Sequence, residues 1–127
     1  FKVGPGTENG VVIGPLIDEQ GLQKVEAHVK DAVAKGAKVL TGGKRHDLGG
    51  LFYQPTVLAG VTGDMRLAGE ETFGPVAPLF RFKTEEEAVR LANASEFGLA
   101  AYFFSRDVGR VFRVSEALEA GIVSVNT

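Results

Sequence analysis

Cysteine is absent from the 127-residue sequence. Its absence excludes a disulfide framework, a zinc site built on thiolates and an internal thiol nucleophile together. Long apolar runs are missing too: stretches such as Leu99–Phe104 and Gly121–Val125 fall far short of the roughly 18 residues of a membrane span. Neither charge sign is in excess, with 14 Lys and Arg against 16 Asp and Glu, evenly mixed. That balance argues against a nucleic-acid binder, which would cluster its basic residues, and against a disordered acidic tail. The chain opens Phe1-Lys2-Val3-Gly4 without an initiator Met or signal-peptide pattern, and it stops at Asn126-Thr127 directly after an apolar run. A piece of a longer polypeptide is expected.

What is present suits a folded α/β domain. Hydrophobic residues make up 44% of the chain, and a chain of this length buries about two-thirds of its unfolded surface. The 17 glycines are near twice the usual ~7% and predict many tight turns. Residues 1–16 are punctuated by Gly4, Pro5, Gly6, Asn9, Gly10, Gly14 and Pro15 and read as an irregular loop. From Asp18 to Lys35, Leu22, Val25, Val29, Ala32 and Val33 recur at three- and four-residue steps, the pattern of an amphipathic helix. Asp18 caps its start and Gly36 its end.

Beyond that helix, Ala37–Leu40 is expected as a short strand and Thr41–Gly50 as a polar turn. Phe52–Leu58 follows as an edge or bulged strand, because Pro55 lacks a ladder donor. A loop through Met65-Arg66 leads to a strand over Pro75–Phe82. Thr84-Glu85-Glu86-Glu87 forms a capping box for a helix reaching Ala94. Leu99–Ser105 and Gly121–Val125 read as buried strands flanking a helix over Asp107–Ala120, with Val111, Val114 and Leu118 inward. The alternation from Pro75 onward predicts a mostly parallel sheet with crossover helices and no linker between domains.

Most generic motifs fail on spacing. Gly4-Pro5-Gly6-Thr7-Glu8-Asn9-Gly10 is one residue too long for a dinucleotide fingerprint and has no preceding strand. Thr41-Gly42-Gly43-Lys44 lacks the upstream glycine of a P-loop and has Arg45 where Ser or Thr is required, so it reads as a turn. His28 and His46 have no second ligand in sight and are expected to be solvated; no metal site is expected. The sequon Asn93-Ala94-Ser95 reads as chance.

One segment carries chemistry: Gly69-Glu70-Glu71-Thr72-Phe73-Gly74-Pro75-Val76. By pattern alone it suits a solvated loop entering a strand. It also suits a ligand contact. An ionised carboxylate at the mouth of an α/β sheet accepts two charge-assisted hydrogen bonds from a vicinal diol such as a ribose, while a nearby ring packs against a flat cofactor.

Glu70-Glu71-Thr72-Phe73-Gly74-Pro75 resembles the Glu-Glu-x-Phe-Gly-Pro motif of the NAD(P)-dependent aldehyde dehydrogenases. Four further stretches agree in order. They are Ile13-Gly14-Pro15-Leu16-Ile17; Gly42-Gly43 before Phe52-Tyr53-Gln54-Pro55-Thr56-Val57-Leu58; Asn93 before Gly98-Leu99-Ala100-Ala101; and Ala120-Gly121-Ile122-Val123-Ser124-Val125-Asn126. The framework around Phe80-Arg81-Phe82, Ala101–Asp107 and Arg110–Leu118 is similar to the succinate-semialdehyde dehydrogenase branch.

The resemblance implies that Glu71 binds the hydroxyls of the nicotinamide ribose of NAD or NADP and that Phe73 packs near the nicotinamide end. Glu70 is then structural. It further implies a reaction needing a cysteine that attacks the aldehyde, hydride transfer to NAD(P)+ and a glutamate that activates water. Residues 1–127 would be the later part of the catalytic domain. The nucleophile, the general base and most of the Rossmann domain would lie before Phe1, and the C-terminal oligomerisation strand after Thr127. The expectation is a cytoplasmic, homo-oligomeric enzyme that oxidises succinate semialdehyde to succinate, with no catalytic residue in these 127 positions and no activity in the isolated chain. Its partner is a small-molecule aldehyde, not nucleic acid or a membrane. Alternatives are another aldehyde such as glutarate semialdehyde, or a stand-alone, non-catalytic α/β module.

Overall fold

Asp18, in extended backbone, accepts a 2.7 Å hydrogen bond from the Gly21 amide and so starts helix α1, Glu19–Ala34. Gly36 takes a left-handed conformation (φ 102°) just past its end, as the two sequence signals require. The described residues are Phe1–Thr127 of a computed structural model, and the chain divides into two units, Phe1–Arg81 and Phe82–Thr127. The sequence shows no linker at that division, because the break falls in Arg81-Phe82-Lys83, which has no composition signal.

In the first unit, strands β1 (Lys38–Thr41), β2 (Thr56–Val61) and β3 (Val76–Phe80) form one sheet in that order. β1 runs antiparallel to β2, with a register shift between Val39 and Thr41. β3 runs parallel to β2, pairing Thr56 with Val76 and Leu58 with Pro78. The second sequence-predicted strand is thus displaced: the ladder starts at Thr56, one residue after Pro55, and β2 is central instead of at an edge, with its irregularity between Ala59 and Val61 and not at the proline. Proline outside the ladder removes no donor from it. Pro78 lies in β3, which has a neighbour on one side only in this sheet.

Parallel β2 and β3 require a crossover. The connection through Met65-Arg66 supplies it and contains a short helix, α2, Arg66–Gly69. Leu22, Val25, Val29 and Ala32 of α1 bury against Tyr53, Leu58, Val61, Met65 and Leu67, with Leu16, Leu51 and Val76 at the margin. The Val, Leu and Met side chains among them each contribute roughly 1.5–3 kcal/mol on full burial. This cluster is the only core of fully buried side chains in the chain.

The second unit contains helix α3 (Glu85–Asn93), β4 (Ala100–Phe103), helix α4 (Val108–Ala117) and β5 (Ile122–Val125). β4 and β5 pair in parallel as a sheet of their own, joined by the α4 crossover. The capping box forms as its residues dictate: Thr84 Oγ1 accepts from the Glu87 amide at 3.1 Å, and Glu87 accepts from the Lys83 amide at 2.8 Å. Asp107 caps α4 by accepting from the Arg110 amide. The alternation from Pro75 nevertheless does not make one continuous sheet, since β3 joins the first sheet and β4 opens the second.

Burial in this unit also differs from expectation. β4 and β5 are half-exposed, neither helix has a fully buried residue, and Leu99, Tyr102, Phe104 and Phe112 are exposed. Two helices on a two-stranded sheet offer too little second layer to cover its apolar faces.

Candidate functional site

The segment between α2 and β3 is fixed from both ends. At its start, the Arg66 amide donates to Asp31 of α1 at 2.8 Å, which anchors the first turn of α2. Glu70 then takes up extended backbone (φ −112°, ψ 136°), in which successive side chains point to opposite sides. At its end, Gly74 lies so close to α1 that an added Cβ would sit 2.5 Å from Val25 Cγ2 and 3.3 Å from Leu16 Cδ2. The next residue, Pro75, accepts from the Thr56 amide at 2.8 Å and leads into β3.

Between these anchors two side chains reach one histidine. Glu70 and Thr72 both meet His28 of α1: Glu70 Oε2 is 3.1 Å from His28 Nε2, and Thr72 Oγ1 is 2.7 Å from His28 Nδ1. Glu70 also accepts from Arg66 Nε at 3.0 Å and Nη2 at 3.1 Å. The Arg66 hydrogen bonds, with a smaller contribution from His28, hold the Glu70 carboxyl at about 2. At neutral pH this carboxylate can only accept, so His28 Nε2 carries the proton between them. In the neutral ring, Nδ1 is then the acceptor for the Thr72 hydroxyl.

Glu71 is exposed and enters no hydrogen bond or ion pair, and the Phe73 ring is 77% exposed. Two free carboxylate oxygens can take both hydroxyls of a vicinal diol, and the adjacent uncovered ring offers an apolar face to a flat heterocycle.

His28 departs from the sequence expectation. It is fully buried, with 0% of its surface exposed, and both ring nitrogens are hydrogen-bonded. The signal was present: His28 lies three residues after Val25 and four before Ala32, on the face of α1 that enters the core. His46 is half-buried in its loop, its Nδ1 accepting from the Leu48 amide at 3.2 Å.

The remaining motifs resolve as structure. Gly43 donates its amide to Thr56 Oγ1 at 2.8 Å, and Gly42 (φ 70°) packs against the Pro55 carbonyl where no Cβ would fit, so Thr41 ends β1 and Gly42-Gly43 is tied to the start of β2 instead of cradling a phosphate. Asn93 donates from Nδ2 to the Ala117 carbonyl at 2.8 Å and accepts at Oδ1 from the Glu119 amide at 3.0 Å, tying the ends of α3 and α4. Asn126 (φ 57°) exchanges two 2.9 Å hydrogen bonds with the Ser105 backbone beyond the carboxyl ends of β4 and β5. Both asparagine roles join residues far apart in sequence, and local pattern does not reveal them.

Residues 1–127 match the aldehyde dehydrogenase family along their whole length, and the chain belongs to that family. It is 62% identical over all 127 residues to a 3-sulfolactaldehyde dehydrogenase of Pseudomonas putida, covering 100% of this chain and 26% of that protein. It is 59% identical over the same length to the NADP(+) succinate-semialdehyde dehydrogenase of Escherichia coli, again covering 100% of this chain and 26% of the relative. Among solved structures, succinate-semialdehyde dehydrogenase from Burkholderia pseudomallei superposes with a TM-score of 0.96 at 66% identity, covering 99% of this chain and 26% of that one. The chain thus spans about a quarter of the length of the relatives it matches. The α/β architecture expected from the sequence is that of these enzymes.

Proposed function

We propose that this chain is the cofactor-contacting later part of an NAD(P)-dependent dehydrogenase that oxidises a short aldehyde bearing an anionic group, succinate semialdehyde foremost. The observation that carries the reading is that Glu71 is exposed and unpaired and Phe73 is exposed, while Glu70 and Thr72 on either side of Glu71 are bound to His28. The family membership supports it.

In this reading Glu71 accepts the two hydroxyls of the nicotinamide ribose, and Phe73 packs against the nicotinamide end and shields it from water. The cofactor supplies the hydride acceptor. What these residues provide is position: a ring held at one angle and distance presents one carbon to the substrate. With no cysteine in the chain, the attacking thiol comes from elsewhere in the polypeptide.

A second substrate reading has its own support in the 62% identity to a 3-sulfolactaldehyde dehydrogenase, which would place a sulfonate where succinate semialdehyde has a carboxylate. Initial rates of the complete enzyme with succinate semialdehyde, glutarate semialdehyde, 3-sulfolactaldehyde and a neutral aldehyde of similar length, each with NAD+ and NADP+, test the proposal. The expected result is the highest kcat/KM with succinate semialdehyde. Preference for the neutral aldehyde, or no cofactor-dependent turnover, contradicts it.

A further inference from the structure

We infer that His28 and Thr72 form a positioning clamp that aims Glu71 at the cofactor, so that a buried histidine on α1 sets cofactor affinity without touching the cofactor. The inference rests on the reading of Glu71 as the ribose contact.

Glu71 lies between two residues whose side chains both end on one imidazole: Glu70 on Nε2 and Thr72 on Nδ1. A buried ring with both nitrogens engaged has little rotational freedom, and Val25, Val29 and Ala32 of the same helix are buried as well. The chain enters this span extended at Glu70, and fixing the residues on both sides of Glu71 limits the directions in which its carboxylate points. Glu71 makes no hydrogen bond or ion pair of its own, so its aim comes from these two flanking bonds and from the Gly74 approach to Val25.

Glu70 has a second anchor in Arg66. Thr72 has only His28. The Thr72 bond is therefore the more sensitive half of the clamp. Loss of the Thr72 hydroxyl also leaves Nδ1 of a fully buried ring without a partner, a state native proteins seldom tolerate. The segment would relieve it by shifting, and the shift would move Glu71.

The test uses the complete enzyme in variants Glu71→Ala, His28→Leu, Thr72→Val and Thr72→Ser, with KM for NAD(P)+ and for aldehyde, kcat and thermal midpoint measured for each. The expected result is a rise of about tenfold in cofactor KM for His28→Leu and Thr72→Val, with aldehyde KM changed by less than about twofold. Thr72→Ser, which keeps the hydroxyl, restores the cofactor KM. Adding Thr72→Val to Glu71→Ala raises it no further, because the carboxylate being aimed is already gone.

A purely structural histidine would lower the thermal midpoint and leave cofactor KM unchanged in the folded enzyme; that result overturns the inference. So does a serine variant as impaired as the valine one, or full additivity with Glu71→Ala. Should His28→Leu fail to fold, Thr72→Val and Thr72→Ser decide the matter, since they leave the core face of α1 unaltered. An unchanged cofactor KM in Glu71→Ala marks failure of the ribose reading and takes the inference with it. A raised KM there, with none in Thr72→Val, overturns the inference alone.

Discussion

Gly74→Ala tests whether the close approach of the motif to α1 shapes the site. The alanine methyl would lie 2.5 Å from Val25 Cγ2, where ordinary contact begins at 3.4 Å, and 3.3 Å from Leu16 Cδ2. Val25 is buried in the core and cannot swing aside, so the backbone at residue 74 has to retreat by about 1 Å. Overpacking of this kind costs about 1–3 kcal/mol. A displacement of that size three residues from Glu71 lowers a rate by as much as on the order of 100-fold when it misplaces a reacting group. The assay is thermal unfolding together with cofactor kinetics of the complete enzyme. The decisive control is Gly74→Ala with Val25→Ala, which removes the obstructing methyl and should return the cofactor KM toward its original value. Wild-type stability and cofactor KM in the single variant, or no relief in the double one, would refute the steric argument.

Three further outcomes follow from the same structure. Leu58→Ala, at a fully buried position of β2, should cost about 2–5 kcal/mol and Leu58→Met under about 1.5 kcal/mol, read as a large and a small fall in thermal midpoint. Glu85 joins Arg113 and Arg110 between α3 and α4, and those bonds hold its carboxyl at about 2 instead of the ordinary 4.5. Its contribution to stability is therefore present above pH about 4.5 and lost as pH falls toward about 2. Acid unfolding followed by circular dichroism should be less steep over that window in Glu85→Gln, and an identical profile would contradict the pairing. Lastly, the purified 127-residue chain, which has no cysteine, should give no turnover of succinate semialdehyde with NAD+ or NADP+. Measurable NAD(P)H formation would require a different nucleophile.

Legibility from sequence follows the range of the interactions. Caps are local, and Asp18, Gly36, Thr84 and Glu87 all act where pattern places them, while Asp107, read as the first helical residue, is the cap of α4. The strand around Pro55 was displaced because periodicity finds apolar residues but does not say where the ladder begins; the Thr56 amide bound to the Pro75 carbonyl does. Likewise, alternating apolar residues in β4 and β5 reveal which face is apolar, not whether a second layer covers it.

The site divides in the same way. Glu71 and Phe73 stand out through their motif. The clamp behind them depends on contacts spanning 44 and 42 residues, and a histidine with Glu26 and Lys30 two residues to either side gives no hint of its partners in sequence. Its position on the core face of α1 was the available sign.

The central claim is that Glu71 contacts the cofactor ribose, and Glu71→Ala in the complete enzyme tests it most directly. Loss of charge-assisted hydrogen bonds worth roughly 1.5–3 kcal/mol predicts a fall of about 10- to 150-fold in kcat/KM for NAD(P)+, at an unchanged thermal midpoint. A kcat/KM for NAD(P)+ equal to that of the unsubstituted enzyme would contradict it.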